Sequence, residues 1–182
     1  MAGTLNNFTD ETILKNPKIS LLLQVLTLAL PINIYVVGDW LGTGVQWVLF
    51  RYQRTYLGIS LIPITRDLEY VLSGIMAGRS GTALLLWCGG AIILTTAILL
   101  TFYWCYIDSE FSIGPYAPLL TILSGILFGI SCIEQYGIFF AGPAGFTIPI
   151  GIPLLIGLGW WIYQKNTDQF LPTKDYEKDN DD

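Results

Sequence analysis

Apolar positions in this chain gather into long uncharged runs broken by short polar or turn-forming segments. The run 19–37 is about as long as a bilayer-spanning helix requires, roughly 20 residues, and Pro31 inside it removes a backbone donor and predicts a kink. The run 82–103 carries no charge and is the clearest span, leaving through Trp104, Tyr106, Asp108 and Glu110. A third span is expected over 116–133, closed by Glu134-Gln135-Tyr136. After the turn signal Gly142-Pro143-Ala144-Gly145, a fourth is expected over 147–163, anchored by Trp160, Trp161, Tyr163 and Lys165.

The segment 38–81 reads differently, because it holds all four arginines, Arg51, Arg54, Arg66 and Arg79. Val45, Val48, Leu49, Tyr52 and Tyr56 fall at helical spacing, as do Leu68, Val71, Leu72 and Ile75. The pattern predicts two short amphipathic helices lying in the membrane interface, with aromatic residues at headgroup depth. Between them 59–64 is read as a short re-entrant piece. Together these elements predict an all-α integral membrane protein of about four transmembrane helices, with a polar tail over 1–18, a membrane domain over 19–164 and an acidic, disordered tail over 165–182.

Composition supports the membrane class: apolar residues make up 53% of the 182-residue chain and charged residues only 13%. A net charge of −5, with Asp175, Glu177, Asp179, Asp181 and Asp182 crowded at the end, argues against nucleic acid as a partner. A signal peptide is the rival reading of 19–37, but its charged leading region is long and acidic and no small-x-small cleavage site follows promptly, so the segment is expected to be retained. Lys15, Lys18, Lys165, Lys174 and Lys178 lie in the tails against four arginines in the first connection. Because Lys18 and Lys165 abut their spans, the positive-inside rule places both termini in the cytoplasm.

Chemical motifs are sparse. The sequence has no histidine, which excludes histidine triads, imidazole-ligated haem and HExxH zinc sites. Cys88, Cys105 and Cys132 have no metal or dithiol spacing and read as free buried thiols, a Cys105–Cys132 bridge being the alternative. No Walker loop, dinucleotide fingerprint or paired-aspartate motif is present, so no catalytic residue, metal or cofactor is expected. Small residues four apart, Gly74 with Gly78 and Gly125 with Gly129, predict close helix packing.

Three functional readings follow. In the first, the chain is a non-catalytic accessory subunit or assembly factor of a membrane complex. Arg51, Arg54, Arg66 and Arg79 then meet a partner protein or an anionic lipid, since the guanidinium fork suits phosphate and carboxylate. The plainer alternative is that Arg51 and Arg54 snorkel while Arg66 and Asp67 pair locally. In the second reading the chain is a small homo-oligomeric transporter or channel, with Glu134 as an ion or proton site. In the third it acts on lipid phosphate, with Asp39, Asp67 or Glu69 as base. Asp39 is otherwise a helix cap.

Overall fold

Pro31 determines how the first apolar run is built. The residue before a proline is pushed out of the α region. In the computed structural model, which describes residues 17–38, 41–106 and 116–170, helix α1 (Pro17–Ala29) ends just ahead of it. The side chains of Ile32-Asn33-Ile34-Tyr35-Val36-Val37 then favour extended chain, and strand β1 (Asn33–Val37) follows. The expected span over 19–37 is therefore a 13-residue helix joined to a strand. At about 1.5 Å per residue that helix falls short of a hydrocarbon core of roughly 30 Å.

The arginine segment departs furthest from the sequence expectation. Strands β2 (Gly42–Gln46), β3 (Phe50–Thr55) and β4 (Gly58–Pro63) replace the first amphipathic helix and the re-entrant piece. Phe50-Arg51-Tyr52-Gln53-Arg54-Thr55 also satisfies a period of two, and β-branched and aromatic content decides for strand. The second amphipathic helix does form, as α2 (Ile64–Leu72).

Helices α3 (Gly78–Tyr106) and α4 (Tyr116–Tyr136) lie where the second and third spans were expected. Among the described residues they are the two helices long and apolar enough to cross a membrane. Strands β5 (Ala141–Gly142) and β6 (Gly145–Ile148) follow, and β6 takes the start of the expected fourth span because it pairs with β1 from Ile34↔Ile148 to Val37↔Gly145. Helix α5 (Gly151–Phe170) begins only beyond Pro149. Pro153 fits its first turn, where no intrahelical donor is needed.

The chain is thus not an all-α membrane protein. A six-stranded antiparallel sheet, in the order β4-β3-β2-β1-β6-β5, accompanies five helices among the described residues, and two helices rather than four have the length and hydropathy of spans. The tails 1–16 and 171–182, Asp39 with Trp40, and the acidic loop 107–115 lie outside the described residues.

The helices pack through small residues where a facing side chain or backbone needs room. A Cβ at Gly90 of α3 would come within 2.8 Å of the Phe128 ring on α4, and one at Gly125 within 2.9 Å of Ile156 on α5. Gly129, four residues after Gly125, faces Ile152 of α5, so this pair serves packing inside the bundle. Gly74 and Gly78 instead shape the α2–α3 link, with φ of +75° and +63° and open space around them. Ile32, Val48, Trp87, Leu94, Phe128 and Leu155 form the core where the helices meet the foot of the sheet.

Contacts orient the helices relative to the sheet. Arg79 at the start of α3 pairs with Glu134 near the end of α4, and Gly151 donates its backbone N–H to Ile32 O at the start of β1. At the opposite end Lys18 lies 5.9 Å from the centroid of the Tyr106 ring. The start of α1 therefore lies away from the sheet, and α5 runs from the sheet out to that same end, since Gly159 packs on Pro118 and Ile122 of α4. Cys88, Cys105 and Cys132 are all free thiols, so no Cys105–Cys132 bridge forms.

Candidate functional site

Strand register sorts the sheet into two faces of unusual character. Asn33, Gln46 and Arg51 align across β1, β2 and β3, and Tyr35, Gly44 and Gln53 form the next row on the same face. This polar face is the inner one: Asn33 and Tyr35 are each only 2% exposed against the helices. The opposite face carries an apolar row five strands wide, Ile148–Ile34–Val45–Tyr52–Leu61, followed by Phe146–Val36–Thr43–Arg54–Ile59. Ile59 and Leu61 are 64% and 66% exposed, and Ile34, Tyr52 and Ile148 are also exposed. A half-buried sheet in water normally turns its apolar side inward. Here that order is reversed.

Arg51 anchors the inner face. The alternation of β3 directs it toward the helices, and its Nη2 donates to Asp67 Oδ1 of α2 at 2.7 Å, with the two side chains 16% and 4% exposed. Burial raises the Asp67 pKa above its usual value, against the opposing pull of the Arg51 guanidinium. Burial likewise raises the Tyr35 pKa, so that hydroxyl stays protonated and donates to Gln53 Oε1 at 3.4 Å.

A cavity of about 100 Å³ lies between this inner face and the helices. Asn33, Tyr35, Gln46 and Arg51 line it from the sheet, and Ser80, Gln135 and Tyr136 from α3 and α4. Asn33 Nδ2 donates to Cys132 Sγ at 3.3 Å, and Gln135 Nε2 to Ser80 Oγ at 3.4 Å. Asn33 Oδ1 and Arg51 Nε, both buried, have no hydrogen-bond partner among the described residues. Such atoms are rare in folded proteins, where buried polar groups are nearly all paired.

The other sequence candidates do not converge on this place. Arg54 extends from the outer face, opposite to Arg51, with Thr43 and Ile59 as its cross-strand neighbours. Arg66 is exposed on α2, where its Nε donates to Tyr70 Oη at 3.1 Å. Arg79 lies 3.6 Å from Glu134 Oε1, with side-chain exposures of 72% and 37%. Glu134 sits within one turn of the α4 C-terminus, at the sheet end. Asp67 is held by Arg51 and Glu69 is exposed on α2, while Asp39 lies outside the described residues.

Sequence reading did not single out Asn33, Tyr35, Gln46, Gln135 or Tyr136. Each is a polar or aromatic residue in or beside an apolar run, and the alternation that separates Arg51 from Arg54 was the one signal for an inward polar face. No group of three or more His, Cys, Asp and Glu side chains able to hold a metal occurs among the described residues. Comparison with protein-family models and with curated proteins gave no match.

Proposed function

We propose that the chain is a membrane-embedded, non-catalytic accessory subunit or assembly factor that presents the outer face of its sheet to a partner protein. The observation that carries this reading is the apolar row Ile148–Ile34–Val45–Tyr52–Leu61, exposed at every member except the half-buried Val45, on a sheet whose polar face is turned inward. Exposed apolar patches of this kind are covered by another molecule in the working state.

In this reading α3 and α4 cross the bilayer as a hairpin, with α1 and α5 packed beside them. Their apolar surface supports it: Ile92 and Leu99 of α3 are 67% and 61% exposed on a helix of 29 residues. The sheet lies at one membrane face. The helix ends near Lys18 and Lys165 lie at the other, which the positive-inside rule assigns to the cytoplasm. Lipid is a poorer cover for the sheet than protein, because β4 is an edge strand. Its outward backbone groups would go unsatisfied in hydrocarbon. A partner strand or loop satisfies them while covering the apolar row.

Ion transport through Glu134 receives less support, since that carboxylate is paired with Arg79 at the rim of the helical layer. A reaction on lipid phosphate needs converging arginines, and Arg51 and Arg54 lie on opposite faces of one strand.

The test is purification of tagged protein in a gentle detergent, with mass spectrometry of its companions, for the wild type and for Leu61→Glu and Ile59→Lys. A stoichiometric partner that is lost from both variants, while their circular dichroism and thermal unfolding match the wild type, is the expected result. A wild type that purifies alone, or variants that keep the same companions, would sink the reading.

A further inference from the structure

The outer face of the sheet carries a single charge. Of the ten positions in its two rows, Ile148–Ile34–Val45–Tyr52–Leu61 and Phe146–Val36–Thr43–Arg54–Ile59, only Arg54 is ionised. Arg51, three residues earlier, faces the helices and has Asp67 at 2.7 Å. Arg54 makes neither an ion pair nor a hydrogen bond among the described residues.

This charge stands within the apolar surface rather than at its rim. Ile59 is its cross-strand partner, and Tyr52 precedes it on the same face of β3. Leu41 and Tyr56 join it in lining a shallow recess of about 440 Å³. Leu41, Tyr52, Tyr56 and Ile59 are all exposed, as is Arg54 itself. An arginine ringed by tyrosine and aliphatic side chains has the composition of a binding hot spot.

Charge then restricts what can cover the face. A protein surface laid on the two rows removes water from the guanidinium, and a cation buried without a counter-ion is strongly unfavourable. A backbone carbonyl would accept a hydrogen bond but leave the positive charge unbalanced. A carboxylate supplies both, taking two parallel hydrogen bonds from the guanidinium fork. Leu41, Tyr56 and Ile59 would keep water from such a pair. A phospholipid headgroup would also balance the charge, but its acyl chains would leave the backbone groups of the β4 edge unsatisfied.

We propose that the partner seats an aspartate or glutamate, set in an otherwise apolar surface, in the recess against Arg54. This rests on the reading of the outer face as a partner surface and names the chemistry of that partner.

The gentle-detergent purification tests it with Arg54→Met, Arg54→Lys and Leu61→Glu, the rate at which the companion dissociates being followed for each. Arg54→Met strands the partner's carboxylate and is expected to speed dissociation about thirtyfold or more. Arg54→Lys keeps a cation and is expected to recover most of that loss. Carbodiimide treatment of the Arg54→Lys complex should then join the introduced amine to an aspartate or glutamate of the companion, as read by mass spectrometry. Arg54 is exposed, so the variants are expected to fold, and circular dichroism checks it.

Dissociation from Arg54→Met no faster than from the wild type, while Leu61→Glu releases the companion, overturns the proposal and leaves the partner reading standing. Equal losses in Arg54→Met and Arg54→Lys overturn it as well, since charge would then not be the determinant. So does a retained Arg54→Lys complex without the cross-link. Loss of a co-purifying anionic phospholipid from Arg54→Met, with the companion kept, assigns the guanidinium to a headgroup phosphate and rejects the carboxylate. A wild type that purifies alone takes this inference down together with the partner reading.

Discussion

Gly44 of β2 stands directly across the ladder from Tyr35 of β1, and the Tyr35 ring occupies the space where a Cβ at position 44 would project. That Cβ would also approach Tyr52 O at 2.7 Å, so neither the ring nor the β3 backbone leaves room for it. The absence of a side chain at 44 lets a buried tyrosine lie flat along the inner face and reach Gln53. Gly44→Ala is expected to destabilise the protein by about 1–3 kcal/mol through overpacking. Denaturant unfolding in micelles would measure it, and a variant as stable as the wild type would show that the ring moves aside freely.

Arg51 and Asp67 tie β3 to α2 with an ion pair that is largely buried on both sides. Removing one member strands the other in a poor solvent for charge. Arg51→Met or Asp67→Leu alone is therefore expected to cost about 3–5 kcal/mol, while the double variant returns to within roughly 1 kcal/mol of the wild type. Thermal unfolding of the three variants measures the coupling directly. Additive losses would mean that the two side chains act independently.

The same pair sets a pH dependence. Burial raises the folded-state pKa of Asp67 above its unfolded value, so the folded state holds this proton more tightly. The stability this contributes is full below the unfolded pKa of about 3.9 and is lost as pH rises through the folded pKa. Stability profiles of wild type and Asp67→Asn, measured from pH 7 downward, should diverge in that window, with the wild type gaining relative to the variant as acid is added. A wild type that loses stability relative to Asp67→Asn over the same range would reverse the sign and show that the attraction of Arg51 outweighs burial.

Arg79 and Glu134 form the contrasting case. Their separation is 3.6 Å and their side chains are well exposed, so solvent screens the interaction. Glu134→Gln is expected to change unfolding free energy by less than about 0.5 kcal/mol. A loss of several times that amount would make this pair a structural tie between α3 and α4.

What could be read from the sequence followed the strength of each local signal. The long apolar helices α3 and α4 and the amphipathic helix α2 are legible because their periodicity or length admits one interpretation. Runs 19–37 and 147–163 read as single helices because hydropathy does not register a change from helix to strand; only the positions of Pro31 and Pro149 mark it. The hairpin over 50–63 was hidden because its apolar side faces outward, so Tyr52 and Tyr56 matched a helical stripe as well as a strand face. The arginines were visible as residues but not as a site. Their placement depends on the register of β3, which sends Arg51 inward and Arg54 outward, and on Asp67 lying three residues into a helix that packs behind the sheet.

Trp87 is a second tie between the two layers, beside the Arg51–Asp67 pair, and its replacement tests how the sheet is held. Its Nε1–H donates to Val48 O at 3.2 Å, at the turn between β2 and β3, while its ring packs on Phe128 with centroids 4.6 Å apart. Trp87 is 3% exposed and Val48 fully buried, so no water replaces the bond if it is lost. Trp87→Phe should cost about 2–4 kcal/mol, from an unpaired carbonyl and the space left by the smaller ring. The loss should be local in character: amide hydrogen exchange should accelerate in β2 and β3 more than in α3 and α4, because this turn is where those strands meet α3, leaving the Arg51–Asp67 pair to hold β3. β1 and β6 are joined to α1 and α5 by the chain itself, through Ile32 and Gly151, and should respond least. Uniform acceleration across sheet and helices would instead mean that the two layers unfold as one unit, with Trp87 serving the whole core rather than the seam.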